Sequence, residues 1–119
     1  MKSFAIAFIL GSFASIGAAE AQQGAYVWTG MGTNVLGSSK CTSYKMEIDV
    51  TVEGNAVKGQ FQQEGRDQRH FEAVADANGA FKTKAQVGGG NSMDVAGSIK
   101  DGTVVLDGYC KFGGKLTKK

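Results

Sequence analysis

Between residues 41 and 53 the chain alternates without a break. Tyr44, Met46, Ile48, Val50 and Val52 fall on one side of an extended backbone, and Ser43, Lys45, Glu47, Asp49, Thr51 and Glu53 on the other. Successive side chains of a strand point to opposite faces, so alternation of this length requires a half-buried antiparallel strand. A chain that contains one must supply partners for it. The rest of the sequence reads as shorter copies of the same pattern.

A first strand is expected over 26–32, with Tyr26, Trp28 and Gly30 inward, followed by a Gly- and Ser-rich stretch over 33–40. Gly54-Asn55 is a two-residue hairpin signal with glycine first. It leads into 56–63, where Val57, Gly59 and Phe61 face in. A charged turn over 64–68 precedes Phe71, Ala73 and Ala75, which alternate with His70, Glu72 and Val74. Asn78-Gly79 predicts a hairpin with positive φ at both central positions. Phe81, Thr83, Ala85 and Val87 form the next inner face, and Gly88-Gly89-Gly90-Asn91 the next loop. Met93, Val95, Gly97 and Ile99 follow, then an Asp101-Gly102 turn. A last main strand carries Val104, Leu106, Gly108, Cys110 and Phe112 inward, and the 115–118 tail is a candidate eighth strand.

Glycine recurs on the apolar side, in Val57-x-Gly59-x-Phe61, Val95-x-Gly97-x-Ile99 and Leu106-x-Gly108-x-Cys110. Interior glycine weakens a strand, which calls for a geometrical reason such as bending of a coiled sheet or close approach of opposite walls. No ten-residue segment beyond the first twenty or so residues holds a helical period. The expected fold is all-β, a small antiparallel up-and-down meander of seven or eight strands closed into a barrel, with a two-sheet β-sandwich as the alternative.

Residues 1–21 read as a secretory signal peptide: Met1-Lys2, an apolar run from Phe4 to Phe13, and an Ala19-Glu20-Ala21 cleavage pattern. Residues 22–119 are then one small domain, periplasmic or secreted. Cys41 and Cys110 are the two cysteines of the chain, and in an oxidising compartment they are expected to pair. The net charge of +2 is too small and too dispersed for nucleic-acid binding. Insertion of the mature chain as a membrane barrel is not expected either. Spanning strands need about 9–11 residues each, more than eight strands with turns could draw from this length, and aromatic girdles are missing.

Candidate chemistry is sparse. His70 is the single histidine, so no metal site and no cofactor is expected. Arg66, Arg69, His70 and Glu72 make a polar surface cluster, from which a hydrolase or lyase using His70 and Glu72 is the enzymatic alternative; no serine or threonine is marked as activated. Glu47 and Asp49 share an outer face, as surface patterning with Lys45. Gly30-Met31-Gly32 lacks the third glycine of a dinucleotide fingerprint, Val35 standing there. Residues 76–79 lack the distal carboxylate of a calcium loop.

The inner face holds the remaining possibility. Trp28, Tyr44, Met46, Phe61, Phe71, Phe81 and Met93 mix with small residues, so the interior is either filled or walls a ligand cavity. In strand number, size and a Trp in the first strand, the architecture resembles lipocalin- and avidin-type secreted barrels. Residues 26–28 are Tyr-Val-Trp, without the Gly-x-Trp opening of lipocalins, and no positions correspond to biotin-binding residues; no family is assigned. The expected role is non-enzymatic: a disulfide-stapled binding or structural protein whose partner is either a protein or a small apolar ligand. The alternatives are an inhibitor of a secreted or envelope hydrolase, acting through 22–25 or 33–40, and a carrier of a small apolar ligand held inside.

Overall fold

The computed structural model describes residues 23–119; the segment read as a signal peptide lies outside the described residues. Among the described residues nine strands follow in order: β1 (Gly24–Met31), β2 (Lys45–Glu53), β3 (Ala56–Gln63), β4 (Arg69–Val74), β5 (Ala80–Gln86), β6 (Ser92–Ser98), β7 (Thr103–Asp107), β8 (Lys111–Lys115) and β9 (Thr117–Lys118). The protein is all-β. Its strands form two antiparallel sheets, one ordered β9-β1-β2-β3-β4 and the other β8-β7-β6-β5.

The alternating positions are those that bury. Met46, Ile48, Val50 and Val52 of β2 meet Val57 and Phe61 of β3, and across the interior lie Val95, Val104, Leu106 and Phe112. Each β2 pair sets its register by the Gly54-Asn55 hairpin, with Glu53 opposite Ala56 and Ile48 opposite Phe61. Gly54 takes φ +61° as the first central residue, and Asn55 needs no positive φ.

The expected closed barrel does not form, and the sandwich alternative fits. The reason lies in 75–79, where the backbone divides its hydrogen bonds between the sheets. Ala75 N–H donates to Asn55 O at 2.8 Å, extending the first sheet, while Ile99 N–H donates to Gly79 O at 2.8 Å, extending the second. No ladder runs between β4 and β5. At the other junction Thr33 and Lys111 form one isolated bridge.

Three local expectations change. Residues 41–43 are not extended: Cys41–Ser43 is a short 3-10 turn, started by the Asn34 side-chain oxygen accepting from Cys41 N–H at 3.2 Å. The run over 104–112 is two strands joined through residues 108–110, with Leu106 opposite Phe112. Asn78-Gly79 is not a turn with two positive φ values; Gly79 alone is positive, at +86°. There the Asp76 carboxylate does the local work, accepting from Asn78 N–H at 2.8 Å and from Ala80 N–H at 3.0 Å. The tail does add a strand, with Thr117 opposite Val27 and Lys118 opposite Tyr26.

The inward glycines have a reason different from the one expected. Gly59 lies opposite Phe71 on the neighbouring strand, and a Cβ there would come within 2.1 Å of the Phe71 ring. Gly97 lies opposite Phe81, and an added carbon would come within 2.2 Å of Thr103 O and 2.6 Å of the Phe81 ring. Each glycine is a seat for an aromatic ring on the next strand, a means of covering glycine within a sheet. Gly108 is likewise covered by the Met93 side chain.

Cys41 and Cys110 are disulfide-bonded. The bond joins the turn before β2 to the turn before β8, and so ties one sheet to the other. A closed loop of this length restricts the unfolded chain by about 4 kcal/mol in the chain-entropy model.

Candidate functional site at the open end of the sandwich

The two ends of the interior differ. At one end Tyr26, Phe81, Ile99 and Leu116 leave a space of only ≈ 10 Å³. In the middle the Phe71 ring stands between Phe61 and Phe81, with centroids 6.4 Å away on each side. At the other end a cleft of ≈ 600 Å³ opens to solvent between the sheets. That volume is within the range of small-molecule sites, about 300–1,000 Å³.

The cleft exists because the strands end unevenly there. β2 begins after the 3-10 turn, so Tyr44 and Met46 form one wall with Phe61 of β3. Met93 of β6 and Phe112 of β8 form the facing wall, with Cys110 beside them. The rim is made by three loops: 64–68, the 88–91 glycine turn, and the 108–110 turn carrying Tyr109. Tyr109 is 70% exposed, an aromatic side chain left at the lip.

Four of the seven expected cavity residues therefore converge: Tyr44, Met46, Phe61 and Met93. The other three are elsewhere. Phe71 and Phe81 fill the middle of the core, and Trp28 lies over Gly30 and Gly114 where β1 approaches β8.

The structure divides the expected polar cluster. His70 and Glu72 point outward from β4, opposite Gln60 and Lys58 of β3, and both are exposed. Arg66 and Arg69 instead line the cleft. Arg69 shares the inward phase of Phe71 and pairs across the sheet with Phe61. Its Nη2 reaches the β5–β6 turn, 3.3 Å from where a Cβ on Gly88 would stand, so the guanidinium spans the mouth from one sheet to the other. Its ion pair with Asp67 is long, at 4.0 Å, and the Asp67 side chain is 89% exposed, a combination worth little. Arg66 has a fixed backbone: its N–H donates to Gln63 O at 2.9 Å, and Gln62 Nε2 donates to Arg66 O at 2.7 Å. Its guanidinium makes no ion pair or side-chain hydrogen bond among the described residues.

A signal for Arg69 was present in the sequence. An arginine in phase with Phe71 and Ala73 at the first position of a strand belongs to the inner face at its open end. Phe112 shared the inward phase of Leu106 and Cys110, but Tyr109 carried no such signal, because the turn that brings it to the lip is hidden in an unbroken alternation.

A second, shallower groove of ≈ 280 Å³ crosses the outer face of β2 and β3, bordered by Glu47, Asp49, Gln60 and Gln62. A hydrogen bond shared with Asp49, and that group's charge, hold the Glu47 carboxyl above its ordinary range against the pull of Lys119 and Lys45. Lys119 Nζ donates to Asp49 Oδ1 at 3.0 Å. Glu47 and Lys119 are exposed and Asp49 is half-buried on this outer strand face. Among the described residues no polar or charged side chain is buried, and no three His, Cys, Asp or Glu side chains gather to hold a metal ion.

By fold and site, this is a disulfide-linked two-sheet β-protein with an apolar, arginine-rimmed cleft at one end. Neither known protein families, nor curated proteins, nor solved structures gave a match to the chain.

Proposed function

We propose that the protein is a non-enzymatic binding protein of an oxidising compartment, periplasmic or extracellular, and that its ligand is a small apolar molecule taken into the cleft. The observation that carries this reading is the asymmetry of the interior, packed through the middle and closed at one end but hollow at the other. Walls of Tyr44, Met46, Phe61, Met93 and Phe112 offer apolar contact, with Gln63, Asn91 and Ser92 among the few polar groups beside them, the composition of small-molecule sites. The disulfide supports the compartment, since such bonds persist where thiols are not kept reduced. Among the described residues, no helix is long and apolar enough to cross a membrane.

The test is fluorescence titration of the oxidised protein with N-phenyl-1-naphthylamine, a neutral dye that brightens in apolar surroundings. Saturable uptake that is lost in Met93→Arg, with melting temperature preserved, supports the reading. Absence of saturable uptake by the folded protein overturns it.

A second reading, inhibition of a secreted or envelope hydrolase, is favoured by one observation. Leu36 projects fully exposed from the 33–40 loop, and that loop is fastened by Asn34 at Cys41 N–H and by the Ser38 N–H bond to Val35 O. An exposed apolar side chain on a tethered loop suits a protein target. Loss of hydrolase inhibition on Leu36→Asp, with dye uptake intact, would select this reading over the first.

A further inference from the structure

We infer that the cleft selects an amphiphile with an anionic head, a short apolar tail lying between the walls and a carboxylate held at the lip by Arg66 and Arg69. The inference rests on the apolar-cleft reading and adds to it the charge of the ligand.

Depth and rim have different chemistry. Below, Phe61, Met93 and Phe112 provide contact for a hydrocarbon or aryl tail and nothing for a charge. Above, two guanidinium groups stand on the same mouth, one reaching across it to the glycine turn and one on a turn whose backbone is pinned at both its N–H and its carbonyl. Among the residues lining the cleft the one carboxylate is Asp67, which is largely in solvent and only loosely paired with Arg69. A guanidinium is a planar fork of donors that matches a carboxylate bidentately, and it cannot lose its charge at physiological pH. An unpartnered Arg66 and a weakly partnered Arg69 are therefore available to a ligand without first breaking a strong internal bond.

Gly88 fits the same account. A Cβ at 88 would stand 3.3 Å from Arg69 Nη2, so the guanidinium passes close beside the glycine turn as it crosses the mouth. A neutral tail would need neither arginine, whereas a cationic head would be repelled by both.

The experiment is displacement of N-phenyl-1-naphthylamine by decanoate, 1-decanol and decyltrimethylammonium, which share a tail and differ in head charge. Decanoate should displace the dye at about tenfold lower concentration than decanol, a ratio set by charge-assisted hydrogen bonds at a partly exposed site. Decyltrimethylammonium should be the weakest. In R66Q/R69Q the decanoate-to-decanol ratio should fall toward one, and added salt should reduce it in the wild type. Lys58→Gln, on the outer face, should leave the ratio unchanged. Equal displacement by decanoate and decanol in the wild type, or a ratio untouched by R66Q/R69Q, overturns the anionic-head inference while the apolar cleft stands. No saturable dye uptake overturns the cleft reading beneath it. Dye-competitive binding of anionic phospholipid vesicles without displacement by decanoate would overturn the free-acid ligand in favour of a lipid headgroup.

Discussion

Replacing Gly59 with alanine tests how the interior is assembled. The added Cβ would stand 2.1 Å from both Cε2 and Cζ of Phe71, whereas carbon atoms in contact rest about 3.5–4.0 Å apart. The ring would have to retreat by about 1.5 Å to recover that spacing. It has nowhere to go, because Phe61 and Phe81 flank it with centroids 6.4 Å away. Gly59→Ala is therefore expected to cost about 1–3 kcal/mol as overpacking, despite alanine's own advantage over glycine in a strand of about 0.5–1 kcal/mol. Phe71→Ala alone should cost about 3–5 kcal/mol by leaving a void in the core. In the double variant the clash has no partner, and only alanine's strand preference remains. It should be no less stable than Phe71→Ala, which makes the two changes non-additive by at least the cost of Gly59→Ala alone, about 1–3 kcal/mol. Urea unfolding of the oxidised protein, followed by far-UV circular dichroism, measures all four corners of the cycle. Costs that add to within about 0.5 kcal/mol would refute the idea that the glycine is there for the ring.

Mass spectrometry without reductant should show the protein two protons lighter than its thiol form, and Cys41→Ala/Cys110→Ala should lose about 4 kcal/mol; two alkylatable thiols in the secreted protein would contradict the pairing. Glu47 has its carboxyl raised above 4.5 by Asp49, so its contribution is present below that value and is lost as pH rises through the raised one. The wild type should accordingly fall in stability relative to Glu47→Gln across the weakly acidic range, read from melting temperatures at stepped pH; a constant difference would count against the shared proton. Lys84 holds the Asp94 carboxyl below its ordinary 3.8, and Lys84→Gln should return that titration upward when followed by carboxyl NMR shifts.

Much of the fold was legible because period-two alternation marks the face of a residue directly. Ile48, Val50, Val57, Phe61, Val95 and Leu106 are buried as their phase requires. What alternation cannot mark is a turn that preserves parity. Asp107 pairs with Lys111, so three residues separate the strands and every inward residue before the turn is in phase with every inward residue after it. Leu106, Gly108, Cys110 and Phe112 thus read as one strand. The two-residue Gly54-Asn55 turn reverses the phase and is visible for that reason. Barrel and sandwich share one inner face, and the distinction lay in the hydrogen bonds of 75–79, which no side-chain pattern encodes. The cleft was half legible: its aromatic and methionine walls were in phase, but the rim depends on loops whose placement follows from the disulfide and the uneven strand ends.

The division of the ladder has a kinetic consequence. Every pairing from β2 to β4, and again from β5 to β8, joins neighbours in sequence, so each meander can form through hairpins on the timescale of about 1–10 μs each. The bridge between Thr33 and Lys111 and the pairing of β9 with β1 join opposite ends of the described chain, and such non-local contacts are slow to close. Folding should therefore run at two speeds, with both meanders formed before they dock. Cys41 and Cys110 lie on opposite sides of that docking step, so pulse alkylation during refolding from the reduced state times the arrival of one sheet against the other.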